Sequence, residues 1–198
     1  MNFTRLLSAL LACAGVSLTA AGCAGAIDDS EHAQSSSEAL SSLLPQIPAA
    51  IAVPDGNRFA FVLFGDGVQM YACQDSASGP AWVFQAPDAD LYWDPRHHLL
   101  AGSHYKGPTW EALDGSTVVG TKLAAATVDA TAIPWLLLQG TSHTGKGLMD
   151  KVTYVQRLQT VGGLAPTTGC DADHIGATAN VDYTATYAFF VAKGHAAH

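Results

Sequence analysis

The chain has 198 residues, of which 48% are hydrophobic and 13% are charged, and its formal net charge at pH 7 is −8. The hydrophobic fraction is sufficient for a buried core, and the length suits one domain behind an N-terminal leader. No segment is rich in Lys or Arg, so the composition argues against a nucleic acid as partner.

The N-terminus has the pattern of an export signal. Arg5 precedes an apolar run at residues 6–22, which is shorter than the ~20 residues of a membrane-spanning helix. Two cleavage sites are open: AAGC, ending at Cys23, resembles a bacterial lipobox, whereas AGA at residues 24–26 would release a soluble protein. We expect residues 1–26 to direct export, giving either an outer-membrane or cell-surface lipoprotein, attached to the membrane only through lipid on Cys23, or a secreted protein.

A tether and a single domain are expected after the signal. Residues 27–46 are Ser-rich and acidic without Lys or Arg, which is typical of a disordered linker. Residues 47–193 form the predicted domain, and residues 194–198 form a predicted flexible tail. Because all 17 acidic residues but only 8 of the 9 basic ones follow the signal, the exported part carries a charge of −9.

The sequence predicts β structure throughout the domain. Residues 58–65 and 68–74 are apolar runs separated by Asp-Gly, a dipeptide that favours a two-residue hairpin turn. Residues 81–86 and 90–94 flank Pro-Asp, which predicts a second turn.

The C-terminal half continues this pattern. Residues 133–139 are apolar on both faces, residues 152–161 are rich in β-branched side chains, and residues 179–192 alternate strictly. Only residues 35–44 and 121–130 could be helical. We therefore predict an all-β, antiparallel single domain, either a β-sandwich or a barrel.

Two segments resemble nucleotide-binding motifs, but each lacks a residue that the motif requires. Residues 140–147 read GTSHTGKG, but Gly147 stands where a P-loop has the Ser or Thr that binds magnesium, and a strand-like segment follows instead of a helix. Residues 65–70 read GDGVQM, with Met70 at the third small position of a dinucleotide fingerprint. We expect no nucleotide and no other cofactor, and interpret residues 140–147 as a Gly-rich connection between strands.

The cysteines divide between the signal and the domain. Cys13 and Cys23 lie in the signal region, whereas Cys73 and Cys170 lie in the domain, 97 residues apart. In an oxidising compartment such a pair is expected to form a disulfide. The alternative is two buried thiols.

The densest mixture of polar and aromatic groups lies at residues 102–116. Aromatic faces beside carboxylates suit carbohydrate binding, so this segment suggests a ligand site for a sugar or another envelope component. The alternative is that the tryptophan fills the core and Asp-Gly makes a hairpin turn. The candidate ligand-binding residues are His104, Tyr105, Trp110, Glu111 and Asp114.

Catalytic motifs do not accompany this segment. The chain has no G-x-S-x-G elbow, and the spacing of His98, His104 and His143 is not that of a metal site. We assign no catalytic residue and no metal ligand, and expect an exported, non-enzymatic binding module. The alternative is a secreted hydrolase or metal-dependent enzyme that uses His104 with nearby carboxylates.

Three segments carry a family resemblance: GPTWEALDGSTVVG at residues 107–120, TVGGLAPTTGC at 160–170 and VDYTATYAFF at 181–190. They resemble domain-of-unknown-function family 3455, which contains secreted proteins of bacteria and fungi, and the likeness runs from residue 47 to 191. The family has no established activity, so the resemblance implies no catalytic residue. Fungal relatives are sometimes labelled malate dehydrogenase, but this chain lacks the dinucleotide fingerprint and βαβ alternation that such an enzyme uses.

Overall fold

The computed structural model describes residues 46–194, which form a closed barrel of eight antiparallel strands. Each strand pairs with its neighbour in sequence, and β8 pairs back with β1. This confirms the predicted all-β antiparallel fold, as the barrel. The strands are β1 (Asn57–Gln74), β2 (Ala81–Tyr92), β3 (Leu100–Tyr105), β4 (Thr109–Ala112), β5 (Thr117–Ala126), β6 (Trp135–Thr144), β7 (Val152–Gly162) and β8 (Thr178–Ala192).

Little other regular structure occurs in this range. Two 3-10 turns, Ala49–Ile51 and Ala172–His174, accompany the strands, and no helix in residues 46–194 is long and apolar enough to span a bilayer. The predicted export signal with Cys23, nearly all of the linker and residues 195–198 of the tail lie outside the described residues.

The strand connections alternate between two ends of the barrel because consecutive strands run antiparallel. The upper end carries the β1–β2, β3–β4, β5–β6 and β7–β8 connections, and the lower end carries the other three. The disulfide Cys73–Cys170, with Cα atoms 5.3 Å apart, joins the top of β1 to the β7–β8 connection and confirms the predicted bridge.

The interior follows the alternation read in the sequence of β8. Tyr183, Ala185, Tyr187 and Phe189 all belong to the core cluster inside the barrel. Of the intervening residues, Ala188 and Phe190 are also buried because the segment before β1 packs on the outer face of β6, β7 and β8. Ile51 is fully buried in that second cluster, which also contains Trp135, Leu137, Leu158, Ala188 and Phe190.

The lower end of the barrel is filled by the Gly-rich connection between β6 and β7. Met149 is fully buried in the interior cluster, and Leu148 packs against the same cluster. This connection contains the last part of the segment that resembles a P-loop, and it runs from strand to strand as predicted. The barrel is therefore closed below.

Two predicted turns are wrong. Asp66 pairs with Asp90 inside continuous strands, so neither Asp-Gly after Gly65 nor Pro-Asp at residues 87–88 ends a strand. Gly65 has a packing role instead of a role in a turn, because a Cβ at this position would stand 2.7 Å from Cε2 of Tyr187. The segment at residues 121–130, considered as a possible helix, is a strand as far as Ala126.

Replacing Gly67 by alanine is expected to destabilise the barrel by about 2–3 kcal/mol, because overpacking forces backbone shifts. The added Cβ would overlap the carbonyl oxygen of Asp88 and the Cα of Ala89 on β2. Urea denaturation of Gly67→Ala measures the loss. The control is Val68→Ala, one residue on and half-buried, which should cost clearly less; equal losses would show that β1 and β2 are not in close contact at Gly67.

Candidate functional site

A cavity of about 400 Å³ opens at the upper end of the barrel. It lies beside the upper half of β2, which pairs with β1 only, since β3 reaches β2 just from Ala89 to Tyr92. The volume is within the ~300–1,000 Å³ of small-ligand sites. Two other depressions, one beside Trp93 at the lower end and one beside His143 on the wall, are more open to solvent. The apolar walls of the upper cavity include Phe84, Pro87, Trp110, Leu136, Leu138 and Tyr187.

His104 and Trp110 form one wall of the cavity. They are directly opposite each other on β3 and β4, so their side chains share the inner face. Their rings stack at 4.5 Å between centroids, and Tyr187 meets both rings edge-on. The indole Nε1 of Trp110 is buried and has no hydrogen-bond partner among the described residues.

His104 is a neutral hydrogen-bonding group. Its Nδ1 lies 2.8 Å from the carbonyl oxygen of Thr109, and because a carbonyl only accepts, Nδ1 carries the proton and Nε2 is left as an acceptor. Burial lowers the pKa of His104 from 6.5 to about 3, against the opposing effect of the Thr109 hydrogen bond and with help from the positive charge of Arg157. The ring is therefore uncharged at neutral pH.

Arg157 lines the opposite wall, from β7. Its neighbours in register are Leu136 on β6 and Tyr187 on β8, both of which also line the cavity. Nε and Nη2 donate to the carbonyl oxygen of Pro134 at 3.2 and 2.8 Å. Burial lowers the pKa of Arg157, but a guanidinium stays protonated in proteins.

Arg157 has no acidic partner in the part of the chain that the structure describes. The ion pairs found in that part of the chain are all formed by other residues. The adjacent phenols do not supply a negative charge either. Tyr183 and Tyr187 share a hydrogen bond of 3.1 Å, and burial raises the pKa of each, so both stay protonated. The charge of Arg157 is thus balanced by no anion in the cavity wall.

The five candidate ligand-binding residues proposed from the sequence do not all lie at one site. His104 and Trp110 line the cavity, with Trp110 serving both as core and as cavity wall. Tyr105 and Glu111 lie on the outer face, where the phenol donates to Oε2 of the carboxylate at 2.7 Å. Asp114 lies at the lower end, in the β4–β5 turn.

Asp114 holds the lower end closed. Its Oδ1 accepts from the amide and hydroxyl of Ser116, and its Oδ2 accepts from the amide of Leu148 at 2.8 Å. The hydrogen bond from the Ser116 hydroxyl, followed by those from the Leu148 and Ser116 amides, holds the pKa of Asp114 below its usual value. The hydroxyl of Ser116 in turn accepts from the amide of the buried Met149.

Replacing Asp114 by alanine is expected to cost about 1–2 kcal/mol, because hydrogen bonds to a partly exposed carboxylate are lost together with the connection to Leu148. Urea denaturation gives the loss, and hydrogen exchange at the amides of Leu148 and Met149 should rise. Asp129→Ala is the matched control, since Asp129 bonds only locally, to Thr131. Unchanged exchange in Asp114→Ala would mean that the carboxylate does not hold this connection.

The histidines considered as metal ligands are apart from one another. His143 donates from Nε2 to the carbonyl oxygen of Val152 on the wall, and His98 lies near Asp94 at the lower end. Within residues 46–194, no three His, Cys, Asp or Glu side chains are grouped so that they could hold a metal ion. The carboxylates near His104 in sequence, Glu111 and Asp114, do not reach it.

Arg157 and Lys122 were missed by the sequence analysis. A lone cation in a strand of mixed character, such as β7, is normally assigned to the solvent face. The available signal was alternation: Arg157 is two residues after Val155, which is fully buried inside the barrel.

One protein family matches most of the described residues. The model of the family described as "Protein of unknown function (DUF3455)" matches residues 54–97 and 93–191, which is most of the described barrel. Comparisons with curated proteins and with solved structures found no match.

Proposed function

We propose a function for this chain, which belongs to the DUF3455 family of proteins of unknown function: it binds a small organic molecule in the upper cavity, without transforming it. We place this activity outside the cytoplasm, on a secreted protein or on a lipoprotein anchored through Cys23. The export-signal pattern supports this location, as does the Cys73–Cys170 disulfide, since such bonds persist mainly in oxidising compartments.

The main support is a pair of buried donors without partners. Trp110 is 1% and Gln69 is 2% exposed, and both line the cavity. Neither Nε1 of Trp110 nor Nε2 of Gln69 has a hydrogen-bond partner within residues 46–194. Gln69 lies close enough to Tyr183 to affect its pKa, but no hydrogen bond of normal length joins them. An unsatisfied buried donor costs about 1–3 kcal/mol, and an acceptor entering the cavity would satisfy it.

The architecture also supports binding. Eight-stranded barrels have an interior just large enough to be filled by side chains or to hold one small ligand. Here the lower half is filled around Leu63, Val118 and Met149, and the upper half keeps the cavity. Apolar walls with a few polar groups are typical of small-ligand sites.

The arrangement favours binding over the hydrolase alternative. His104 has no carboxylate partner within the described barrel, and its Nδ1 is already bound to Thr109, so the pair needed for base catalysis is not assembled. A carbohydrate, the ligand class that the sequence suggested, would stack on Trp110 but would not reach the carboxylates of Glu111 and Asp114.

Cavity filling tests the proposal. A panel of fluorescent naphthalene derivatives, neutral, anionic and cationic, is titrated into the protein, and we expect at least one to bind with 1:1 stoichiometry. Leu136→Trp, at a half-buried residue of the wall, should weaken that binding at least about tenfold. The matched control is Leu123→Trp, at a residue that is 51% exposed. Absence of 1:1 binding, or equal binding by both variants, would contradict the proposal.

A further inference from the structure

We infer that the ligand of the upper cavity is an anion, a carboxylate joined to an apolar or aromatic body. This inference rests on the proposed binding function and specifies its ligand class. It comes from how charge is distributed over the cavity wall, from the partial burial of one cation and from the chemistry of the remaining walls.

The cavity concentrates positive charge in an acidic protein. The chain has 9 basic and 17 acidic residues, yet Lys106, Lys122 and Arg157 line the cavity and no Asp or Glu of the described residues does. Lys106 lies in the β3–β4 turn at the mouth, Lys122 on β5 and Arg157 deeper on β7. The cations therefore approach the cavity from three strands or turns, and a ligand there meets positive charge from several directions.

Arg157 gives the strongest argument. Arg157 is half-buried, and withdrawing a charge from water is costly unless an opposite charge compensates it. The carbonyl oxygen of Pro134 supplies hydrogen bonds but no net charge, and within the described chain no carboxylate forms an ion pair with this guanidinium. Asp88, which influences Tyr183 electrostatically, is exposed. A bound carboxylate would be the missing counter-ion, and guanidinium groups bind carboxylates with two parallel hydrogen bonds.

The neutral groups around the cavity agree with an acceptor-rich ligand. Trp110 can only donate from its indole, and the amide nitrogen of Gln69 is also a donor that finds no partner in the described part of the chain. A carboxylate accepts several hydrogen bonds at once and donates none. One such group could therefore be shared between the cations and the unpartnered donors.

The rest of the ligand must be apolar. Phe84, Pro87, Leu136 and Leu138 face the cavity together with the ring of Trp110, and these walls offer no hydrogen bonds from side chains other than the indole. A free inorganic anion would leave them uncovered. The combination selects an amphiphile, with its carboxylate toward Arg157 and its apolar body along these walls.

Matched probe pairs test the inference. The first pair is 2-naphthoate and 2-naphthamide, and the second is decanoate and decanol; within each pair only the charged group changes. Isothermal titration at neutral pH and low salt should show each carboxylate binding about tenfold to a hundredfold more tightly than its neutral partner, as expected for charge-assisted hydrogen bonds.

Charge variants then locate the preference. Arg157→Gln should bring the affinity ratio of naphthoate to naphthamide close to unity. Because Arg157 also holds Pro134, a second variant is needed that cannot fail through folding: the double change Lys106→Gln and Lys122→Gln, at exposed residues, should lower the ratio at least about threefold. Lys146→Gln, exposed on the connection at the lower end, is the control and should leave it unchanged.

The outcomes separate the two proposals. Equal affinity for both members of each pair, with binding still blocked by Leu136→Trp, would overturn the anion inference and leave the binding function standing. A carboxylate preference that survives both charge variants would also overturn the inference, because the charge would be recognised elsewhere. Failure of every probe to bind would contradict the binding function itself, and the anion inference with it.

Discussion

Acidification from pH 6.5 to pH 4.5 is expected to destabilise the wild-type barrel by about 2–3 kcal/mol more than the His104→Asn variant. Burial lowers the pKa of His104 from 6.5 in a solvated chain to about 3 in the folded barrel. Between these values the unfolded chain binds a proton that the folded one does not, so the free energy of unfolding falls as the pH falls. Above pH 6.5 the contribution is complete, and by pH 3 the full loss reaches about 4–5 kcal/mol.

Urea denaturation at pH 6.5, 5.5 and 4.5 measures this difference. Asparagine preserves a donor for the carbonyl oxygen of Thr109 but does not titrate. Carboxylates whose pKa is lowered by hydrogen bonds, such as Asp114, also contribute less to the free energy of unfolding in acid. This decrease is the same in the wild type and in His104→Asn. His98→Asn, at an exposed histidine, should follow the wild type. Parallel pH profiles for wild type and His104→Asn would show that His104 is not held neutral by burial.

Removal of the disulfide is the second large effect. The double variant Cys73→Ala and Cys170→Ala is expected to lose about 4–5 kcal/mol, because the bond closes a segment of 97 residues and restricts the unfolded chain. Reduced wild-type protein should behave in the same way.

Guanidinium chloride denaturation of oxidised, reduced and double-variant protein gives the comparison. The β7–β8 connection keeps other contacts with the upper end: the indole of Trp82 donates to Thr168, and the phenol of Tyr71 donates to Gly163. These contacts should preserve the folded barrel without the bond. A loss below about 1 kcal/mol would mean that the bond adds little to these contacts or that the unfolded chain is already compact.

Strand character and the disulfide were predictable because their signals are local or compositional. The alternation of β8 identifies its inner face from Tyr183 to Phe189, and the two cysteines of the domain leave one pairing. The hairpin at Asp66-Gly67 was predicted wrongly because a glycine has two uses. Turn rules consider its backbone freedom, whereas here the space at Gly65 accommodates the ring of Tyr187, which lies 122 residues further along the chain.

The site was only partly predictable for a related reason. His104 and Trp110 were selected by chemical type, and the register of β3 and β4 brings them together. The same register turns Tyr105 and Glu111 outward, which depends on a one-residue phase that residue types alone do not determine. Arg157 lies opposite His104 and Trp110 only because β8 pairs with β1 and closes the barrel, a pairing that the sequence does not specify.

The indole N–H resonances of the four tryptophans offer the most direct test of the cavity as a ligand site. Trp110 lines the cavity, Trp82 donates to Thr168, Trp93 lies at the lower end and Trp135 packs in the outer cluster. In a titration of ¹⁵N-labelled protein with 2-naphthoate, the Trp110 indole signal should shift with saturation while the other three barely move. An unmoved Trp110 signal, or shifts of similar size at all four indoles, would contradict a ligand site in the upper cavity.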